Sequence, residues 1–269
     1  MNWSKAKTIL IIFLLFTTLL LSTMLHTSNS KRRTISDDTV TNSIKILSDR
    51  GVKIEPSLIP KRLESATIYT VENALIDQKE FVKSALGENF TFENDIYTSP
   101  LGTLLFWGDR FSVTYPDGID TDKALKSPAE KARAYLMTLG LDLYKTDVIV
   151  KNDATGTFTV TFSSKLDNLP FFDRSIKCTL KGEKLIGAEG SWFYNEEYSP
   201  TQVSLDSVAS LLIKYSSENK LFSNIEINKI TLGYAINENN IYHKKATVLP
   251  VYQIETNDNK TFYIDARQK

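Results

Sequence analysis

The sequence predicts an α+β protein: a single N-terminal transmembrane helix followed by an extracytoplasmic region of repeated helix-plus-antiparallel-sheet units. Three observations carry this. Thr8 to Leu25 (TILIIFLLFTTLLLSTML) is an uncharged run of eighteen residues, and the rest of the chain has ordinary soluble composition. Three stretches then share one order, a helical period followed by alternating strand-like runs. Finally, Leu169-Pro170-Phe171-Phe172 in one stretch is matched by Leu249-Pro250-Val251-Tyr252 in the next.

At ~1.5 Å per residue, eighteen helical residues reach ~27 Å, close to the ~30 Å hydrocarbon core of a bilayer. Residues 1–7 form a short basic head and 8–25 the spanning helix. Lys5 and Lys7, with small residues at Ser28 and Ser30, also suit a cleaved signal peptide, but the run exceeds the ~7–15 residues of a secretory h-region, which favours a retained anchor. Lys31, Arg32 and Arg33 nearly balance the head in the positive-inside count. A seven-residue basic head is costly to translocate, so the expected orientation is head in the cytoplasm and domain outside.

Residues 26–60 read as a juxtamembrane helix and linker. Ser36-Asp37-Asp38 supplies an N-cap and an acidic first turn, Val40, Ile44 and Leu47 recur at i, i+4 and i+7, and Gly51 stops the helix. Pro56 and Pro60 predict extended chain after it. The first helix-and-strand unit, 61–120, has a helix over Asp77–Leu86 with Phe81, Ala85 and Leu86 on one side. Strands follow at Phe90–Tyr97, Leu101–Trp107 and Phe111–Tyr115, with turns at Ser99-Pro100, Gly108-Asp109 and Pro116-Asp117-Gly118.

The second unit, 121–199, opens on the strongest helix start in the chain. Ser127 caps, Pro128 takes the first helical position, Glu130 closes a capping box, and Gly140 stops the helix. Strands are expected at Val148–Val150, Phe158–Phe162, Phe172–Leu180 and Leu185–Phe193. The third unit, 200–269, repeats the order with a helix over Leu205–Ser217, then strands at Ile225–Ala235, Val248–Glu255 and Thr261–Ala266. The Leu-Pro pairs would open the closing strand pair of each unit, where a residue without an N–H fits. Four matched positions leave duplication and chance both standing.

Composition excludes several functions. Lys plus Arg and Asp plus Glu are 32 each, without a basic stripe, which argues against nucleic acid. Cys178 is the only cysteine, so an intramolecular disulfide and a Cys-rich zinc site are both ruled out. The histidines, His26 and His243, lie in no nucleophile or metal motif, and G-x-S-x-G, H-E-x-x-H and P-loop patterns are missing. The adjacent carboxylates Glu196-Glu197 read as solvated surface. Trp192, Phe193, Tyr194 and Tyr198 read as strand-end packing before a ligand groove. The expectation is a non-enzymatic protein with no cofactor, metal or evident small-molecule substrate.

Two blocks carry a family resemblance. Met1-Asn2-Trp3-Ser4-Lys5-Ala6-Lys7-Thr8-Ile9, running straight into the apolar helix, resembles the start of the YycI (WalI) proteins of Gram-positive bacteria. Leu249 through Ile254 and Phe262 through Ala266 resemble the closing strands of that family and its relative YycH, and more widely a PepSY-like helix on an antiparallel sheet. The resemblance implies an accessory protein at the cell membrane, in complex with a YycH-like protein and a sensor histidine kinase of the YycG (WalK) type. It implies contact between transmembrane helices and supplies no catalytic or cofactor residue. In lipid, helices associate through close packing and interhelical hydrogen bonds. The expected partner-binding residues are therefore Trp3 and the helical stripe Phe13, Thr17, Leu20 and Met24. A lipid-facing stripe whose hydroxyls bond their own backbone has the same periodicity, and both readings stand.

Overall fold

The computed structural model describes residues 3, 7, 11–22, 34–62, 65–75, 77–143, 146–218, 224–236 and 245–268, with backbone only for 173 and 194–200. The chain is α+β and mostly sheet, with five helices among the described residues. It divides into two compact units: residues 1–66, 204–230 and 254–269 form the first, and 67–203 with 231–253 the second. This grouping differs from three consecutive helix-and-strand units, because each compact unit draws on distant stretches of chain.

The first unit holds α1 (residues 11–22) and α2 (Asp37–Asp49). Ser36 caps α2, its Oγ accepting from the Thr39 N–H at 3.2 Å. Val40 and Leu47 are buried while Ile44 is half-buried, and Ser43 completes the inner face. Gly51 ends the helix at φ +80°, where a side chain would meet the Asn224 backbone nitrogen at 2.9 Å. Next come β1 (Val52–Ile54) and a 3-10 turn (Pro56–Leu58). That turn corrects the expectation of continuous extended chain: Pro56 takes the first position of a turn, which its fixed φ also suits.

Helix α5 (Val208–Glu218) buries Val208, Leu211 and Leu212, with Tyr215 at the margin. Arg50 at the end of α2 reaches across to α5, its guanidinium donating to the Ile213 carbonyl at 2.5 Å and to Ser216 Oγ at 3.0 Å. Strand β12 (Ile225–Ile236) pairs in parallel with β1, Val52 opposite Ile225 and Ile54 opposite Ile227. Strand β13 (Lys245–Thr256) carries β14 (Thr261–Asp265) beside it.

The second unit is built on an antiparallel run of eight strands. Its meander is β3 (Thr91–Glu93), β4 (Ile96–Ser99), β5 (Gly102–Trp107) and β6 (Arg110–Asp120). The others are β7 (Thr146–Asn152), β8 (Thr157–Leu166), β9 (Leu169–Lys181) and β10 (Lys184–Gly190). Their order across the run is β7-β8-β9-β10-β6-β5-β4-β3. Helices α3 (Gln78–Leu86) and α4 (Pro128–Thr138) pack on it, sealing a core that contains Phe81, Phe111, Leu136, Phe162, Ile176 and Trp192. A second cluster centres on Phe171, Phe193, Tyr234 and Val248, where β2 (Ser65–Asn73) lies between β11 (Phe193–Ser204) and β13, pairing the latter from Glu72↔Lys245 to Tyr69↔Val248.

The capping box of α4 forms as expected: the Glu130 N–H donates to Ser127 Oγ and the Ser127 N–H to the Glu130 carboxylate, each at 3.1 Å. Three expectations are corrected. The run Phe90–Tyr97 is two strands, folded by Asn94-Asp95 at positive φ, a tight-turn conformation these two residue types tolerate. Pro116-Asp117-Gly118 is a bulge inside β6 and not a turn, since the pairing jumps from Ile119↔Leu185 to Thr114↔Gly187 and leaves Ile186 opposite four residues. A bulge tolerates a residue without an N–H and a glycine at φ +65°. Finally, Leu169-Pro170 opens β9, whereas Leu249-Pro250 lies mid-strand in β13, where the ladder to β2 stops two residues before the proline.

Just before the bulge, Tyr115 continues the inward alternation of Phe111 and Val113 along β6 and is fully buried. Its hydroxyl donates to the Ala85 carbonyl at 2.9 Å and lies 2.7 Å from the Tyr135 hydroxyl. Ala85 is in the last turn of α3, so Tyr115 satisfies a carbonyl that has no partner within the helix. Removing the hydroxyl by Tyr115→Phe leaves that buried acceptor without its donor. The expected cost is about 1–3 kcal/mol in denaturant unfolding, and a loss below measurement error would mean that another donor replaces it.

Candidate functional site

Helix α1 holds the described part of the expected spanning segment. Among the described residues no helix is long and apolar enough to cross a membrane; Thr8–Leu10 and Thr23–Leu25, the two ends of the expected span, lie outside them. What is described is apolar around its whole circumference. Ile11, Ile12, Phe13, Leu14, Leu15, Phe16, Leu19 and Leu21 are each more than half exposed, and Leu20 is 42% exposed.

Of the expected partner-binding residues, Phe13, Thr17 and Leu20 fall at i, i+4 and i+7 on one face of α1. Trp3 is helical and exposed, with the Lys7 ammonium 5.4 Å from its ring centre, and Met24 lies outside the described residues. Thr17 Oγ1 donates to the Leu14 carbonyl at 2.9 Å, and Thr18 Oγ1 donates to the carbonyls of Leu14 and Leu15 at 2.8 and 2.9 Å. Both hydroxyl protons are thus committed within the helix, and each oxygen keeps acceptor capacity only. This helix can meet hydrocarbon without an orphaned donor, and it can accept a hydrogen bond from a neighbouring helix.

The second unit contains a buried ion pair that no sequence pattern announces. Arg174 on β9 and Asp109 in the β5–β6 turn meet at 2.9 Å with their side chains 8% and 10% exposed. The guanidinium also donates to Ser191 Oγ at 3.3 Å and lies 5.0 Å from the Phe193 ring centre. Gly108-Asp109 forms the expected turn between β5 and β6, and the Asp109 carboxylate turns inward to the guanidinium. The only available signal for this was an acid beside a strand, which ordinarily means solvent.

Other polar groups are held rather than offered. Burial pushes Tyr115 up to about 12 and Tyr135 well above the ordinary phenol value. Burial, with the Asp167 carboxylate adding to it, raises Tyr69 and Tyr234. All four hydroxyls keep their protons at neutral pH, so none serves as a base, and the Tyr234 oxygen accepts from the Thr67 N–H at 3.4 Å. Cys178 on β9 is completely buried and its thiol is pushed up to about 12, so it packs as a small apolar residue.

Trp192 and Phe193 are also core residues, in two different clusters, and the Trp192 indole donates to the Asp142 carbonyl at 2.8 Å. The side chains of Tyr194, Glu196, Glu197 and Tyr198 are outside the description, as are His26 and His243. Among the described residues no three His, Cys, Asp or Glu side chains converge to hold a metal. A groove of about 180 Å³ runs between α5 and β14, lined by Lys214, Tyr215, Tyr263, Asp265 and Arg267. It is smaller than the ~300–1,000 Å³ of typical ligand sites, and Arg267 is already clamped by Asp265 at 2.7 Å.

No family model and no curated protein matches the chain. Among solved structures it is similar to an uncharacterized protein from Eubacterium rectale ATCC 33656, with 12% identity over 76% of this chain and 85% of that one and a TM-score of 0.46. It is also similar to YycH from Bacillus subtilis, with 12% identity over 73% of this chain and a TM-score of 0.45. The match spans about half of that YycH chain, 52% of its length.

Proposed function

We propose that this chain is a non-enzymatic, membrane-anchored regulator of a cell-wall sensor histidine kinase of the YycG (WalK) type. It acts through transmembrane-helix and extracytoplasmic contacts in a complex with a YycH-like protein, its N-terminus cytoplasmic and its sheet-rich units outside. The observation that carries the reading is the surface of α1. Large apolar side chains exposed around a whole helix need an apolar environment, either lipid or another protein. The committed Thr17 and Thr18 hydroxyls suit such a place. The kinase and the YycH-like partner come from the opening Met1–Ile9 and the closing strands, through the YycI resemblance.

A second reading keeps the anchor and changes its role: α1 only tethers an extracytoplasmic PepSY-like binding or inhibitor module. The uniform exposure of α1 favours neither, since a tether looks the same. Replacing Thr8–Leu25 with an unrelated spanning helix and measuring the kinase's target-gene output separates them. The regulator acting through its helix predicts lost control with normal insertion and folding. Retained control would overturn that reading in favour of the tether.

A further inference from the structure

Strand β7 lies at the end of the antiparallel run, and among the described residues β8 is the only strand it pairs with. Its apolar centre is open to solvent: Val148 is 36%, Ile149 53% and Val150 45% exposed. A seven-residue edge strand with three exposed apolar residues at its centre is a template for another strand. Pairing with β8 also sets its two faces. Val148 and Val150 stand opposite Phe162 and Val160, which are fully buried, whereas Asp147, Ile149 and Lys151 share the other face.

The order of residues in β7 decides what can pair with it. Thr146-Asp147-Val148-Ile149-Val150-Lys151-Asn152 is symmetric about Ile149 in its apolar and polar positions, and antisymmetric in charge. In an antiparallel pair of two such strands centred on Ile149, Ile149 faces Ile149, Val148 faces Val150, and Asp147 faces Lys151 on each side. A slip by two residues loses both charge matches, and a slip by one turns the valines to the wrong face.

We propose that β7 is a self-recognition edge: a second copy of this chain pairs with it antiparallel about a twofold axis through Ile149, joining the two sheets. The interface is isologous, as a twofold dimer requires. Backbone hydrogen bonds and the four valines supply the attraction, and the two Asp147–Lys151 pairs select the register. Asp147 already meets Lys165 at 2.7 Å through one oxygen, with its side chain 57% exposed, which leaves the second oxygen for the partner strand. Exposed ion pairs contribute at most ~1 kcal/mol each. One strand pair also falls short of the ~1,600 Å² of a standard interface, so the dimer is weak and reversible.

Cysteine pairing in the full-length protein, purified in detergent, reads the register directly. Opposed residues in an antiparallel pair bring their Cα atoms within ~4.5–5.5 Å, inside the ~4.4–6.8 Å that a disulfide spans. Ile149→Cys is therefore expected to form a covalent dimer on mild oxidation. Asp147→Cys alone is not, because two copies of residue 147 lie about 13 Å apart along the strands at ~3.3 Å per residue. Mixing differently tagged Asp147→Cys and Lys151→Cys proteins is expected to give the mixed dimer. Cys178, fully buried, stays out of the reaction. Absence of the Ile149→Cys dimer, or equal cross-linking at 147, 149 and 151, overturns the proposal; a dimer made by α1 alone gives no such register.

Discussion

Asp109→Ala is expected to lower stability by about 3–5 kcal/mol, read as a shift of the denaturant midpoint. The carboxylate is the partner of a guanidinium whose side chain is only 8% exposed. Deleting it removes the counter-charge from a buried guanidinium that also meets the Ser191 hydroxyl and the face of Phe193. Neither neutralises the charge. The same argument predicts that removing both charges does less harm than removing one, since a buried ion pair itself gains little over packed apolar groups. Asp109→Leu combined with Arg174→Met should therefore recover most of what either single replacement loses. A single-variant loss under ~1 kcal/mol would mean that water reaches the pair and screens it.

Phe111→Ala is expected to cost a similar ~3–5 kcal/mol, through a cavity instead of a charge. Phe111 is fully buried on β6, and Phe81 of α3 meets its ring edge-on at a centroid distance of 4.9 Å, while Phe106 meets Phe81 from the neighbouring strand at 5.7 Å. These three rings fasten α3 to the meander. Because the rings of 81 and 111 touch, their alanine variants should be non-additive, with a coupling of about 0.5–3 kcal/mol in a double-mutant cycle. Full additivity would mean that α3 repacks independently of the strand.

Local chemistry was legible in the sequence and long-range pairing was not. The start of α4 could be read residue by residue, because a capping box and a proline at the first helical position act within four residues. The cap of α2, the period of α5 and the strands β8 to β10 were legible for the same reason. Strand β2 went unread, since its pattern is half-buried along most of its length and gives no clean alternation. The signal at Pro116-Asp117-Gly118 was real but ambiguous: a proline and a glycine break a ladder, and only the partner strand decides between turn and bulge. The Leu-Pro match is sequence without shared position, one pair at a strand entrance and the other at mid-strand.

The grouping into compact units turns on contacts such as Val52 with Ile225, which no local period announces. Of the candidate site, the apolar helix was legible from composition alone. The Asp109–Arg174 pair was not, since its members are 65 residues apart in sequence (109 to 174) and neither sits in an apolar run. For β7 the strand could be read, and its position at the edge could not.

The interleaving of the two units sets an order in time. Residues 34–62 carry Val40, Leu47 and Val52, which are buried in the finished protein, yet their unit is completed only by 204–230 and 254–269. At a synthesis rate of ~5–20 residues per second, the stretch between residues 66 and 204 delays that completion by roughly 7–30 s. The other unit lacks the end of β12 and the start of β13 until residue 253 is made. The N-terminal segment therefore emerges first and finds its own partners last. A nascent chain halted near residue 200 is expected to present α2 and β1 to proteases and chaperones, and synthesis of residues 204–230 and 254–269 to withdraw them.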